Sequence, residues 1–102
     1  MNVLLVCQAG MSTAILCKKI SEVAEKAGQS LHIEAVGLEK VGPKSHEKQL
    51  VMLAPQVRYA VPNVRKEVSA EIPIMVINST DFGLMNAEGV YQNMMTVMEK
   101  RK

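Results

Sequence analysis

Four short apolar runs along the chain alternate with stretches whose apolar residues recur at helical spacing. Asn2 to Val6 is almost wholly apolar, as a strand buried on both faces of a parallel sheet must be. From Met11 or Ser12 to Ala27 the pattern turns helical: Leu16, Ile20, Val23, Ala24 and Ala27 share one face, charged residues take the other, and Gly28 ends the segment. Leu31 to Val36 alternates with period two, setting Leu31, Ile33 and Ala35 against His32 and Glu34, which suits an edge strand. Gly37 to Lys48 reads as a polar loop with room for a helical turn. Gln49 to Leu53 is a third strand. Beyond it a helical stripe of Val57, Ala60, Val61, Val64 and Val68 is interrupted by Pro62, which should kink it or start a second helix there. Pro73 to Ile77 is a fourth strand, Asn78 to Gly83 a loop, and Ala87 to Arg101 a last helix burying Val90, Tyr91, Met94, Val97 and Met98. The pattern predicts an α/β chain: a single domain over residues 1–102, with an open four-stranded parallel sheet and helices on both faces. The loops at the carboxyl ends of its strands form the active rim.

Composition narrows what such a sheet can do. With three aromatic residues and no tryptophan, the core is built from aliphatic side chains and eight methionines, and base-stacking surfaces are not expected. A net charge of +2, spread along the chain, gives no polyanion footprint, so no nucleic-acid partner is expected. The first apolar run is too short to span a membrane and lacks a basic flank, which points to a cytoplasmic protein with no direct membrane insertion. Nothing demands more than a monomer. Cys7 and Cys17 have neither zinc-site nor CxxC spacing, and without a further ligand at suitable spacing neither His32 nor His46 makes a metal site. Both histidines read as solvated. No cofactor is called for.

The chemistry concentrates where the first strand ends. Cys7 stands at its carboxyl end, and the helix beginning a few residues later directs unpaired N–H groups and its positive dipole end back at the sulfur, favouring thiolate. The same donors, with Gly10 easing the backbone, cradle an anion. A cysteine phosphatase would carry an arginine after five intervening residues to clamp phosphoryl oxygens, but that position is Thr13. No acid in the loop protonates a leaving alcohol. A small cysteine-dependent phosphatase or arsenate reductase is therefore the weaker alternative, and a loop that accepts phosphate on sulfur and shelters it with backbone N–H groups and the hydroxyls of Ser12 and Thr13 is the stronger.

Other rim residues admit two readings each. Ile15, like Met11, lies off the buried stripe near the loop, and either docks a partner or covers the helix start. Pro55 and Gln56, after the third strand, can wall the cysteine loop. Gln56 either touches a bound group or caps the following helix. Tyr59 and Arg58 either face the site or a partner, or are a half-buried tyrosine and a solvated arginine. Cys17, about six residues and roughly 9 Å into the first helix, reads as a small apolar filler.

NVLLVCQAGMSTAIL resembles the start of the lactose/cellobiose-family IIB component of the bacterial phosphoenolpyruvate-dependent sugar phosphotransferase system. MLAPQVRYAVP is similar to that family's Pro-Gln segment, and VINSTDFG to its strand and aromatic-Gly turn, so the resemblance spans nearly the whole chain. It implies a four-stranded parallel sheet with helices on both sides, Cys7 as the nucleophile, and Gln8, Ala9, Gly10, Met11, Ser12 and Thr13 as its phosphate-binding loop. It also implies a phosphohistidine donor, the IIA protein, and a membrane IIC permease carrying the acceptor sugar, a beta-glucoside or related disaccharide such as cellobiose. Phe82, Ala54 and Asn78 depart from the family's usual tyrosine, glycine and aspartate. Those positions bear on sugar preference and partner pairing, not on the transfer chemistry.

Overall fold

The structure is a computed structural model that describes residues 1–8 and 11–100, the side chains of residues 11, 12 and 100 excepted. Four strands, β1 (Asn2–Val6), β2 (His32–Val36), β3 (Leu50–Leu53) and β4 (Ile74–Val76), form one parallel sheet in the order β2-β1-β3-β4. The two central strands are the ones whose sequences are continuously apolar, and Val3 to Val6 and Leu50 to Leu53 are fully buried. The alternating run of β2 takes an edge, as its polar face requires.

The helices are α1 (Met11–Lys26), α2 (Val41–Lys44), α3 (Val61–Glu67), α4 (Ser79–Gly83) and α5 (Ala87–Lys100). One face of the sheet, with Val3, Leu5, Leu50 and Met52, packs on Leu16, Ile20 and Ala24 of α1 and on Val90, Tyr91 and Met94 of α5. The other, with Leu4, Val6, Val51 and Leu53, packs on Val41, Val57, Ala60 and Val64. From β1 to β2 the chain crosses the first face in one direction. From β2 to β3 and on to β4 it crosses the second face in the opposite direction, so the hand of the crossovers is kept.

Pro62 divides the segment after β3 as its position predicts. A 3-10 stretch, Pro55–Ala60, with a non-helical Val57, gives way to α3 at Val61. Gly28, at φ 82°, ends α1. Its N–H donates to Glu25 O at 3.0 Å and that of Gln29 to Ala24 O at 2.8 Å, the paired bonds of a Schellman cap. Ala27, expected on the buried stripe, is exposed because the helix has already ended. The polar loop before β3 contains a 3-10 turn, Leu38–Lys40, running into α2.

The stretch from Asn78 to Gly83 is not a loop but α4, capped by Asn78, whose Oδ1 accepts from Thr80 N at 2.8 Å and Asp81 N at 3.2 Å. Asn86 then accepts from Gly89 N at 3.2 Å at the start of α5 and donates to Asp81 Oδ1 at 3.1 Å, tying the two helices together.

Candidate functional site at the carboxyl rim

Beyond the ends of β1, β3 and β4 the sheet's pairing continues by one residue. Cys7 N donates to Val36 O at 3.0 Å, Ala54 N to Val6 O at 2.8 Å and Ile77 N to Leu53 O at 2.9 Å. Cys7 and Ala54 therefore stand side by side on the rim. They do so where the chain's direction across the sheet reverses: the connection leaving β1 covers one face, and the one leaving β3 covers the other. Such a divergence opens a crevice at the carboxyl ends of the two strands, the usual ligand position in open α/β sheets.

Cys7 is 6 % exposed, and it packs with the cluster containing Val6, Val36, Ala54 and Val57 rather than standing free in solvent. Neither Cys7 nor Cys17 is joined in a disulfide. Gln8 is exposed. Ala9 and Gly10 lie outside the described residues, as do the side chains of Met11 and Ser12. The first turn of α1 carries no acidic residue, leaving its positive end uncompensated by side-chain charge. Thr13, in that turn, is 2 % exposed, so the hydroxyl expected to help hold the phosphoryl group is withdrawn from solvent.

Of the flanking residues, Ile15 is 49 % exposed on α1, an apolar side chain displayed two residues beyond Thr13. Pro55 opens the 3-10 stretch directly after Ala54. Gln56 is exposed and does not cap that stretch, because Ala54 occupies the capping position and makes no side-chain bond there. Tyr59 is 65 % exposed, not half-buried, and its hydroxyl accepts a hydrogen bond from Gln8 Nε2 at 3.5 Å. The structure thus brings Tyr59 to the cysteine loop across 51 residues of sequence. Tyr59 also lines a cavity of about 630 Å³ between the segments that follow β2 and β3, shared with Leu38, Asn63 and Val64.

Phe82, on α4, is a rim residue that sequence reasoning attached only to a family turn. It packs against both apolar clusters and so closes the sheet's end beyond β4. His32 pairs with Asn2 at the start of β2, and His46 precedes β3, so both lie toward the amino-terminal edge, opposite Cys7. Neither can serve the cysteine. Cys17 is buried, and burial, with a smaller contribution from the charge of Cys7, pushes its pKa up to about 11. It packs in the apolar cluster as a small filler, as expected. Among the described residues, no helix is long and apolar enough to cross a membrane.

A four-stranded parallel α/β domain with a cysteine between its two central strand ends defines the class of fold and site. Residues 2–93 match the family described as PTS system, Lactose/Cellobiose specific IIB subunit, and the chain belongs to that family. It is similar to the oligo-beta-mannoside-specific EIIB component of Bacillus subtilis (strain 168), with 29 % identity over 95 % of each chain. It is likewise similar to the cellobiose-specific EIIB component of Lactococcus lactis subsp. lactis (strain IL1403), with 32 % identity over 84 % of this chain and 85 % of the relative. Among solved structures, the cellobiose-specific phosphotransferase IIB component of Borrelia burgdorferi superposes with a TM-score of 0.79 at 34 % identity, covering 100 % of this chain and 94 % of the other. The lactose-specific IIB component domain of Streptococcus pneumoniae shares the fold, with a TM-score of 0.80 at 20 % identity over 95 % of this chain and 96 % of the other. Sugar-specific phosphotransfer is the work of IIB components, which act with IIA and IIC partners.

Proposed function

We propose that the protein is a phosphocysteine relay, with Cys7 as the phosphate carrier. The observation that carries this reading is the position of Cys7: the residue after the central strand β1, beside Ala54 at the switch point and four residues ahead of α1. In the first step the Cys7 sulfur attacks the phosphorus of the IIA phosphohistidine. An S–P bond forms, the P–N bond breaks, and the departing imidazole nitrogen keeps the electron pair. In the second step a hydroxyl oxygen of the sugar on the IIC permease attacks the same phosphorus, the S–P bond breaks, and the thiolate is regenerated as the hydroxyl loses its proton. The sugar is a beta-glucoside or related disaccharide such as cellobiose.

Gln8, Ala9, Gly10, Met11, Ser12 and Thr13 hold the phosphoryl group, chiefly by main-chain N–H groups at the start of α1. Thr13, its side chain buried, serves through its N–H. Phosphoryl transfer depends on in-line placement and charge stabilisation more than on side-chain acids, so a cysteine in a ring of amides suffices. Ile15, Pro55 and Gln56 border the surface offered to the partners. The protein acts as a monomer in the cytoplasm.

The test is the intact mass of the chain after incubation with phosphoenolpyruvate and the upstream phosphotransfer proteins. One added phosphate, blocking alkylation of Cys7, supports the relay. Catalytic release of inorganic phosphate supports a phosphatase instead.

A further inference from the structure

The geometry points to Tyr59 as a positioning residue that holds the chain directly after Cys7, acting through the side-chain amide of Gln8. This rests on the relay reading and assigns Tyr59 a part in the same site. Gln8 is the first residue past the sheet's last hydrogen bond on β1, so nothing in the ladder orients it. Its Nε2 donates to the Tyr59 hydroxyl at 3.5 Å. Tyr59 is well placed to restrain it, because the 3-10 stretch that carries the ring is anchored on either side by the buried Val57 and Ala60 and begins at Pro55, directly after Ala54. Apolar burial does not explain a tyrosine that is mostly exposed. Hydrogen bonds around a reacting group are commonly long in the free protein and tighten in the complex. Tyr59→Phe keeps the ring and removes the acceptor.

Wild type, Tyr59→Phe, Gln8→Ala and the double variant are compared in two measurements: the rate at which limiting iodoacetamide modifies Cys7, with Cys17 as internal control, and transfer kinetics from phosphorylated IIA. A long hydrogen bond between two exposed side chains sits at the weak end of the usual net range, about a twofold effect. Tyr59→Phe should therefore alkylate Cys7 about twofold faster and lower kcat for transfer about twofold, leaving KM for IIA unchanged. The double variant should be no worse than the more affected single variant, since both remove one contact. Unchanged alkylation and kcat, or losses that simply add, overturn the assignment. A rise in KM alone also overturns it, making Tyr59 a partner contact. A wild-type chain that takes no phosphate on Cys7 defeats the relay reading separately, and the alkylation arm still decides whether Tyr59 restrains the loop.

Discussion

The main-chain N–H of Cys7 donates to the carbonyl of Val36 at 3.0 Å, so β2 fixes where the cysteine stands without using its side chain. The sulfur contributes only packing to the fold. Cys7→Ser should therefore fold and melt cooperatively, losing ~1–3 kcal/mol for a hydroxyl placed among Val36, Ala54 and Val57. Phosphate acceptance should be abolished. Intact mass after incubation with phosphoenolpyruvate and the upstream proteins, read beside a thermal melt, checks both outcomes, and full phosphorylation of Cys7→Ser ends the hypothesis.

The second cysteine is predicted to be silent. Its raised pKa means that Cys17 keeps its proton where an ordinary thiol has begun to ionise, and the thiolate is the reactive form. Cys17→Ser should leave phosphate transfer nearly unchanged, and in the native protein iodoacetamide should spare Cys17 until denaturant is added. The sign of the pH effect follows from the raised value. The stability Cys17 contributes is complete below the ordinary value of 9.0 and is lost as pH rises through about 11, because the unfolded chain gives up the proton first. Urea titrations across that window should show the loss in wild type, and a smaller one in Cys17→Ser.

How far the sequence disclosed this arrangement depended on how each segment is buried. β1 and β3 were legible because a strand covered on both faces must be apolar throughout; the alternation of β2 marked a strand at an edge, but Ala35, read on its apolar side, is exposed. Pro62 and Gly28 acted locally, through their own backbone chemistry, and appeared where expected. α4 was missed because it buries no residue fully, so no apolar stripe marks it. Its signal was a capping pattern instead, Asn78 followed three residues later by Asp81. Asn78→Ala should accordingly cost about 1 kcal/mol in a denaturation measurement. At the site, the place of Cys7 was legible as the end of an apolar run. The contact between Gln8 and Tyr59 was not, since no pattern along the chain encodes a meeting between residues so distant in sequence.

Gly28 offers a clean test of a backbone effect. A Cβ built there meets nothing within 4 Å, so substitution brings no clash, and only the left-handed conformation at φ 82° resists a side chain. Gly28→Ala should destabilise by ~1–2 kcal/mol, the cost of holding an L-residue in that region. Gly28→Asn should cost less, because asparagine tolerates it better. Equal stability of all three in urea would show that the cap does not set the end of α1.

The edge strand is also tied down electrostatically. Glu34 of β2 takes Lys48 Nζ on Oε1 and Lys44 Nζ on Oε2, each at 3.2 Å, joining β2 to the segment that crosses behind it to β3. The hydrogen bond from Lys48, followed by that from Lys44, holds the Glu34 carboxyl below its ordinary value of 4.5. A lowered folded-state value means that this stability is present above 4.5 and fades as pH falls through the folded value, where the folded carboxylate too takes up its proton. The group is partly solvated, so the contribution is small and screened: Glu34→Gln should cost no more than about 1 kcal/mol at neutral pH and low salt. The difference from wild type should shrink in concentrated salt and vanish in acid, where both side chains are neutral. A gap that persists in acid would assign the loss to packing around Glu34 rather than to its charge.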